Sequence, residues 1–543
     1  MSSKLARLLA FILALAMLAA ACGSSDSGDD AAEDDSSSSG GALSAEAEEE
    51  DEPEPEPEEE AMDEEEPEPE EEAMDEEEPE PEEEAMDEEE PAEEEPAEEE
   101  PAEEEPAGLA DDSVDGLGAE RLESVIIDPP GPADDSLEPV VITMANLEGD
   151  ALGSFPEIRE GLEIAVADIN ENWGGIGGRP IELEVCVHGF DPNAAINCGN
   201  EIAERQPNLN INGIEFFTPA LWPTFLGAGI PTIQTVPIFV SDFTVEGNGL
   251  SPFGGCPVAF PSAAQYTMEI LELEKVAVVY ANTPPGLECY ADTEERFWDY
   301  LVDNEVDGEY IGLPDNSGDP SDDDAVVQQI ADFFGDTDPS QTAVFFGTQA
   351  SDCNAIMSAI SAAGLETQII ASGSCIDDSV LIDNPASTGA QFGNQSRIAE
   401  RPDLYPGFPE WELNWRNDLL ENSDIRTTPV SAFLRVGHTA GVFAWNMFND
   451  MLDAGVDIDD SAAVIAWMND LEDVHLIANN PITCTNNTPE FPSVCKKDNT
   501  FVTWGGPDVG WDPEGSPLGG EYFSVEDIQA RVAAGNPRPE AGG

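Results

Sequence analysis

The sequence predicts an α/β protein in which two doubly wound parallel-sheet lobes enclose a ligand cleft, preceded by a disordered acidic tether. Two observations predict the lobes. Short apolar strands alternate with helical segments from residue 139 onward, and the alternation occurs in two series, the second starting at residue 275. Acidic residues crowd into the first 137 positions, which predicts the tether. Repeated βα units form parallel sheets with helices on both faces, and ligands bind beyond the carboxyl ends of such strands.

The individual elements follow from hydrophobic spacing. Leu162, Ala165, Val166 and Ile169 share one face at helical spacing, whereas apolar residues alternate in residues 180–186. Strands are predicted at residues 139–145, 180–186, 209–216, 230–236, 275–280, 342–346 and 368–371, and helices at residues 158–171, 194–204, 288–302, 325–334 and 354–363.

The charge of the chain excludes several classes of protein. Its 543 residues include 119 acidic and 17 basic side chains, for a formal net charge of −102. A nucleic-acid site needs a stripe of Lys and Arg to displace counterions, and docking on an anionic membrane through charge also needs basic residues. Residues 1–137 hold 54 acidic and 3 basic side chains, which leaves 65 acidic and 14 basic side chains, a net charge of −51, in residues 138–543. We therefore expect no nucleic-acid partner.

The N-terminus has the features of an export signal. Lys4 and Arg7 precede an apolar run at residues 8–18, which is too short for a lasting membrane anchor. Small residues then precede Cys22 in a pattern that resembles a bacterial lipobox, with the usual leucine one place early at Leu18. We expect residues 1–21 to be a signal peptide and Cys22 to carry a lipid anchor. The alternative is an ordinary secretory signal with an incidental cysteine.

Residues 22–137 are predicted to be a disordered tether. Ala-Met-Asp triplets recur every twelve residues from residue 61, and Glu-Glu-Glu-Pro units fill the intervals. Such a composition cannot bury enough apolar surface to offset the entropy of ordering, and the like charges and prolines extend the chain. We expect a spacer. A weak cation-binding segment is the less favoured alternative, because the repeats lack the turn geometry of a defined metal site.

Three motifs open the folded part: GLEIAVADIN at residues 161–170, GGIGGRPIEL at residues 174–183 and DPNAA at residues 191–195. In this order they resemble the opening of the type I periplasmic binding proteins, most closely the branched-chain amino-acid binders of ABC importers. VFFG at residues 344–347, AAGL at 362–365 and TQIIA at 367–371 are similar to the second lobe, and residues 431–452 to a long late helix. The resemblance covers residues 138–530. It implies a first lobe at 138–262 and 388–475, a second lobe at 263–387 and 476–530, and a tail at 531–543.

The resemblance also implies ligand-binding positions in the first lobe. There the family grips the ligand carboxylate with backbone amides and hydroxyl groups at the ends of two strands. These positions fall on Phe217, Thr218, Thr235 and Val236. A further contact in the segment that enters the second lobe falls on Ser262.

In the second lobe the implied positions depart from the family pattern. One aromatic position falls on Pro285, in TPPG, and another, commonly Tyr, falls on Gln349. The acidic residue that holds the ligand ammonium falls on Gly373, which Ser374 follows in the ASGSC segment.

This departure bears on the ligand. A buried ammonium without a carboxylate partner carries a desolvation penalty of several kcal/mol. Asp352 or Asp377 is near enough in sequence to substitute, although both are also explained as solvated loop acids. Phe216 and Trp222 are candidates either for the pocket or for the core. We expect a small polar or amide-like ligand rather than leucine.

The cysteines indicate an oxidising compartment. Without Cys22, eight remain, and an even number in an exported protein suggests disulfides. A metal site is the less favoured alternative, because no CxxC spacing occurs and the three histidines are isolated in sequence. The hypothesised pairs are Cys353–Cys375, Cys484–Cys495, Cys186–Cys198 and Cys256–Cys289.

These features together predict an extracytoplasmic solute-binding lipoprotein of an ABC importer. It captures an amino acid or a small polar or amide-like compound by lobe closure and delivers it to a permease with its ATPase. The alternatives are a ligand sensor for a signalling partner and a surface interaction protein that has lost solute binding. We expect no cofactor and no metal. Catalysis finds no support, because the sequence contains no GxSxG, HExxH or Cys/His nucleophile pattern.

Overall fold

A computed structural model describes residues 116–150, 153–290, 295–316, 320–348, 350–398, 401, 404–405, 408–485 and 490–535. The predicted signal peptide, the predicted lipidation site Cys22, the acidic repeats and Gln349 lie outside the described residues. Among the residues described, no helix has the length and apolar character needed to span a membrane.

The first lobe is built on a five-stranded parallel sheet in the order β2-β1-β3-β4-β5. Its longest strand pair is β1 with β2, which runs from the pairing of Val140 with Ile181 to that of Leu147 with His188. The strands are β1 (Val140–Leu147), β2 (Ile181–His188), β3 (Leu209–Asn212), β4 (Thr232–Gln234) and β5 (Gly249–Leu250), and the helices are α1 (Ala119–Ile127), α2 (Pro156–Glu171), α3 (Pro192–Arg205), α4 (Thr218–Ala228) and α5 (Val240–Phe243).

The second lobe is built on a mixed sheet in the order β12-β11-β10-β9-β8-β6-β7, with β13 paired to β11. Strands β6 to β10 run parallel, and β11 returns antiparallel to β10. The strands are β6 (Lys275–Ala281), β7 (Glu309–Asp315), β8 (Thr342–Gly347), β9 (Gln368–Ala371), β10 (Gln391–Asn394), β11 (Asp498–Trp504), β12 (Trp511–Asp512) and β13 (Phe523–Ser524), and the helices are α6 (Cys256–Gln265), α7 (Pro284–Cys289), α8 (Glu295–Asn304), α9 (Pro320–Phe334), α10 (Ala350–Ala363) and α11 (Asp378–Leu381).

The part of the chain that the structure describes has four further α-helices: α12 (Glu410–Asn422), α13 (Ala432–Asp453), α14 (Ser461–Asn469) and α15 (Glu526–Ala534). Helix α13 packs closely against α2, because glycines stand where the two backbones meet. A Cβ atom on Gly161 would lie 2.1 Å from the carbonyl oxygen of Leu434, and one on Gly437 would lie 1.9 Å from that of Ile158. The glycine that opens the GLEIAVADIN motif is therefore required by helix packing.

The folded part of the chain begins before residue 138, where the predicted tether was expected to end. Residues 119–127 form α1, whose Leu122 and Val125 are buried in the first-lobe core. Arg121 forms ion pairs with Asp450 at 2.6 Å and with Asp453 at 2.7 Å, both on α13. The assignment of residues 116–137 to a disordered tether is thus wrong. The segment has only a narrow apolar face, and this face is stabilised by a helix that lies more than 300 residues later in the sequence.

The lobe boundaries also differ from those predicted. Strand β10 pairs with β9 and β11 in the second sheet, so the chain returns to the first lobe after Asn394 and not at residue 388. Leu476, Ile477 and Ile482 still pack in the first-lobe core, so the chain re-enters the second lobe near β11 and not at residue 476. Helix α15 extends four residues past the predicted domain end at 530. These segments lack strong apolar periodicity, so only tertiary pairing defines them.

Four disulfides join cysteines in the hypothesised pairs. Cys186–Cys198 connects β2 to α3, and Cys353–Cys375 connects α10 to the turn that follows β9. Cys256–Cys289 and Cys484–Cys495 complete the set. Cys256 begins α6 and Cys289 ends α7, so that disulfide fixes α7 against the segment that links the two lobes.

Candidate ligand-binding cleft

A cavity of about 250 Å³ lies between the two lobes at the carboxyl ends of their strands. The segments after β3 and β4 line it from the first lobe, and those after β6, β8, β9 and β10 line it from the second. This is the position that the topology of doubly wound sheets favours for ligands.

The structure brings five of the predicted ligand-binding residues together. Thr235 and Val236 of the first lobe and Pro285, Gly373 and Ser374 of the second lobe all line the cavity. Thr235 is fully buried and its hydroxyl donates to the carbonyl of Asn212 at 2.8 Å, which fixes the end of β4.

Three other predicted residues do not line the cavity. Thr218 is fully buried at the start of α4. Phe217 does not line the cavity, whereas its neighbour Phe216 does. Ser262 is buried in α6, where its hydroxyl accepts from Nδ2 of Asn499 at 2.6 Å. Asn499 itself lines the cavity, so Ser262 orients a lining residue without reaching the ligand space.

Aromatic and aliphatic side chains form the first-lobe wall. Phe155 packs edge-on against Phe216, with ring centroids 5.7 Å apart, and against Phe433, at 5.6 Å. Ile214 and Val236 extend this apolar surface. Binding of a ligand with apolar surface is therefore favoured, because contact with this wall removes that surface from water.

A buried histidine–glutamate pair positions this wall. His188, at the end of β2, contacts the carboxylate of Glu215 through Nε2, and Nδ1 lies 2.9 Å from the carbonyl oxygen of Gly189. Glu215 also accepts from the backbone amide of Phe217 at 2.8 Å, which fixes the loop that carries Phe216. Burial lowers the pKa of His188, but the hydrogen bond and charge of Glu215 outweigh burial and raise that pKa above its ordinary value. The sequence gives no motif for this pair, because its members lie 27 residues apart.

Hydroxyl and amide groups form much of the second-lobe wall. Ser374 donates to the carbonyl of Thr348 at 2.6 Å, and its hydroxyl contacts that of Ser372. Gln395 accepts from the amide of Gly254 at 2.8 Å and donates to the carbonyl of Gly255 at 3.2 Å. Gln395 thus ties two of the segments that cross between the lobes to each other at the edge of the cleft.

The charged residues of the lining are both basic. Arg397 and Arg435 line the cavity, and no acidic residue is among the described residues that do. The two proposed substitutes for the family's acidic residue lie elsewhere: Asp352 is buried in α10, and Asp377 accepts from the amide of Ser379 at 2.9 Å. Within the described ranges, no group of three or more His, Cys, Asp and Glu side chains is arranged to hold a metal ion.

Comparison with known proteins identifies the family. The sequence model of the family described as periplasmic binding protein matches residues 144–492. The chain belongs to this family. Its members bind solutes outside the cytoplasm and are not enzymes, so this periplasmic binding protein is an extracytoplasmic solute-binding protein. No curated protein sequence matches the chain.

Solved structures share the fold of this periplasmic binding protein. A leucine-binding protein from Thermotoga maritima is 13% identical, with a TM-score of 0.55, and the match covers 72% of this chain and 99% of that one. A solute-binding protein from R. palustris in complex with benzoate is 14% identical, with a TM-score of 0.53 and coverage of 71% and 98%. A fatty acid ABC transporter substrate-binding protein from Thermomonospora curvata is 15% identical, with a TM-score of 0.52 and coverage of 69% and 90%.

Proposed function

We propose that this periplasmic binding protein captures a small organic solute in its cleft and presents the closed, loaded form to the permease of an ABC importer. The observation that carries the proposal is the cavity itself, to which both lobes contribute the carboxyl ends of their strands. A ligand in this position contacts both lobes at once and favours their closure.

The connections between the lobes support a hinge. The chain crosses between the lobes in three segments, near residues 251–256, after Asn394 and before Asp498. Gln395 hydrogen-bonds to Gly254 and Gly255, so two of these segments are joined at one point. Motion concentrated at a few linked segments leaves each sheet intact while the cleft opens and closes.

The N-terminal sequence supports a place at the membrane surface. A lipid on Cys22 would anchor the chain after removal of residues 1–21, and two or three acyl chains give stable anchoring. An extended acidic tether would then let the binding domain sample space away from the membrane while it remains attached. This arrangement suits a receptor that delivers its ligand to a permease in the same membrane.

A ligand screen on the full chain with oxidised cysteines tests the proposal. The panel contains amino acids, amides, short carboxylates, ureas and small peptides, and binding is followed by thermal unfolding. A ligand that binds only the folded state, at about 100 times its Kd, adds about 2.7 kcal/mol to the free energy of unfolding. We expect such a ligand also to reduce the radius of gyration in small-angle scattering. Absence of any hit, with no closure, would favour a surface interaction protein.

Transport and sensing are separated by a cellular measurement. If the protein serves an importer, deleting the gene that encodes it should abolish uptake of the identified ligand in the native cell. Unchanged uptake, together with loss of a transcriptional response to the ligand, would instead favour the sensor.

A further inference from the structure

The charged side chains of the cleft lining are engaged by the protein itself. Among the described lining residues these are Arg397 and Arg435. The guanidinium of Arg397 lies 4.0 Å from the ring centroid of Phe408 and 5.4 Å from that of Tyr522. It also donates to Oδ1 of Asn480 at 2.6 Å, and none of these three partners lines the cavity. Arg435 is 8% exposed and has an interaction partner within the protein. Neither guanidinium is therefore an open site for an anion.

The positive charge of Arg397 belongs to a buried cluster behind the cleft wall. Asn480 donates in turn to the carboxylate of Asp498, which also contacts the ammonium of Lys496. Lys496 is 2% exposed, and all three of these residues lie outside the cavity lining. A carboxylate of the protein thus already stands opposite these cations, so that no ligand anion is needed to balance them.

A charged ligand would find no partner in this cleft. Residues 138–543 carry 65 acidic and 14 basic side chains, and the field of this excess opposes the entry of an anion. No carboxylate is among the described residues that line the cavity, so an ammonium group would meet only the arginines and the apolar wall of Phe155, Phe216 and Phe433. Burying an ion without a partner costs several kcal/mol. The lining therefore favours an uncharged ligand.

Neutral hydrogen-bond donors line the second-lobe side of the cleft. Asn394 ends β10; its Oδ1 accepts from the amide of Ser396 at 3.3 Å, and its Nδ2 donates to no described residue. Thr283 accepts from the amide of Gly286 at 3.3 Å, and its hydroxyl donates to no described residue. A Cβ atom on Gly373 would lie 3.7 Å from Oδ1 of Asn394. A neutral amide thus stands beside the position where the family resemblance implies an acidic residue, and it can donate to a ligand oxygen.

The volume of the cavity bounds the size of the ligand. An apolar cavity of about 150 Å³ is sufficient to hold benzene. The cavity between the lobes measures about 250 Å³. It therefore has room for a ring or a branched chain with a short extension to a polar group.

We propose, on the basis of the solute-capture function proposed above, that the ligand is an uncharged organic compound with an apolar body and one neutral oxygen-bearing group. The body is aromatic or branched aliphatic and packs on the phenylalanine wall of the first lobe. The oxygen, of an amide or an alcohol, accepts from Nδ2 of Asn394 and from the hydroxyl of Thr283. This class narrows the polar or amide-like ligand expected from the sequence, because most of the ligand is apolar.

Two matched series of probes test this ligand class. The first consists of 4-phenylbutanamide, 4-phenylbutan-1-ol, 4-phenylbutanoate and 4-phenylbutan-1-amine. The second consists of 4-methylpentanamide, 4-methylpentan-1-ol, 4-methylpentanoate and L-leucine. Within each series the carbon skeleton is the same and the charge of the polar end changes. Titration calorimetry on the full chain at pH 7.5 should show, in one or both series, a neutral member that binds about tenfold or more tightly than every charged member.

A variant of Asn394 assigns the preference to the cleft. Asn394→Asp keeps the oxygen that accepts from Ser396 but replaces the donor with a negative charge. It should weaken binding of the amide about tenfold or more, and it should shift the ratio of amine to amide affinity in favour of the amine. Asn304→Asp is the matched control, because it makes the same change at the exposed end of α8, outside the lining, and should leave both affinities unchanged. If Asn394→Asp does not fold, the wild-type probe series decides the question alone.

The outcomes separate this proposal from the general one. A carboxylate, amine or amino acid that binds as tightly as the matched neutral probes overturns the ligand class, and so does a preference for the amide that survives Asn394→Asp. Binding and closure with only a charged solute also overturns it, while solute capture stands. If no solute of any class binds, solute capture fails together with the ligand class.

Discussion

At the scale of single residues, Asp315 is a buried carboxyl group with a strongly raised pKa. It ends β7 and is fully buried. Asp323 on α9 and Asp352 on α10 lie near it, and Asp322 adds a further negative charge. Burial, and then these like charges, raise the pKa of Asp315 from 3.8 to about 7.

This pKa predicts a loss of stability with rising pH. Because the folded-state pKa is above the unfolded value, the folded protein binds more protons between pH 4 and 7. The stabilisation is therefore complete below about pH 4 and is lost as pH rises through about 7. Asp315→Asn, which is neutral at every pH, should flatten this part of the profile. At pH 8 it should raise the free energy of unfolding by up to a few kcal/mol.

Denaturant unfolding between pH 5 and pH 8.5 measures the effect, with exposed Asp303→Asn as the control. An Asp315→Asn profile with the same slope as the wild type over this range would show that Asp315 does not titrate there.

Ligand binding by the individual residues stays a prediction, but sequence reasoning placed a residue at the cleft where a strand end alone decides its exposure there. Thr235, Val236 and Pro285 follow strands and line the cavity. The exchange of Phe217 for Phe216 shows the limit, because a shift of one residue at a strand end reverses which side chain faces inward. Arg397 and Arg435 also line the cavity but were not predicted, since only the crossover after β10 and the packing of α13 place them there.

At the scale of elements, α1 predicts where the folded domain begins. Leu122 is 1% exposed in the first-lobe core, and Arg121 pairs with α13. A chain that starts at residue 138 lacks these contacts and should unfold at a lower temperature than one that starts at residue 116. In the full chain, Leu122→Ala should lower the free energy of unfolding by roughly 2–5 kcal/mol.

Differential scanning calorimetry of both chains and of the variant measures this contribution. Ile127→Ala, at a position that is 69% exposed, is the control on the same helix. Equal melting temperatures for the two chains would mean that α1 does not stabilise the domain.

The disulfide Cys256–Cys289 is predicted to stabilise the shape of the cleft as well as the fold. Both cysteines line the cavity, and α7 carries Pro285 and Gly286 along the same wall. Replacing both cysteines by serine should lower the free energy of unfolding by roughly 3 kcal/mol and also weaken ligand binding. The control pair Cys186–Cys198 lies outside the lining, so its serine variant should lose similar stability but keep its affinity.

The two disulfide variants are compared by their affinity for the ligand found in the screen. Affinity is measured well below the melting temperature of each variant. Equal affinities for the two disulfide variants would show that Cys256–Cys289 stabilises the fold but does not affect ligand binding.

Elements with strong periodicity were predictable, and connections were not. The βα units of both lobes and the long helix after residue 431 are present, because local apolar spacing is sufficient to define them. Strand β10, by contrast, is four residues long and depends on β9 and β11 for its hydrogen bonds. The lobe boundaries were misplaced at the positions where such tertiary pairing defines the structure.

At the scale of the whole molecule, acidic side chains far outnumber basic ones. Residues 138–543 hold 65 acidic and 14 basic side chains, so most acidic groups have no basic side chain available as a partner. Several of the basic groups are already shared: Arg531 contacts Glu269, Glu305 and Asp527. Repulsion among the remaining carboxylates lowers the stability of the compact state but keeps the protein soluble.

This imbalance predicts that salt stabilises the protein. The Debye length falls from about 10 Å at 0.1 M to about 3 Å at 1 M salt, which screens repulsion between exposed carboxylates but hardly affects the buried pairs. The melting temperature at pH 7.5 should therefore rise by several degrees between 0.1 and 1 M NaCl. A chain that starts at residue 116 is the control, because it lacks the acidic N-terminal segment and should show the same rise if the folded domain is responsible. A melting temperature that is constant or falls over this range would mean that surface repulsion does not limit the stability of the domain.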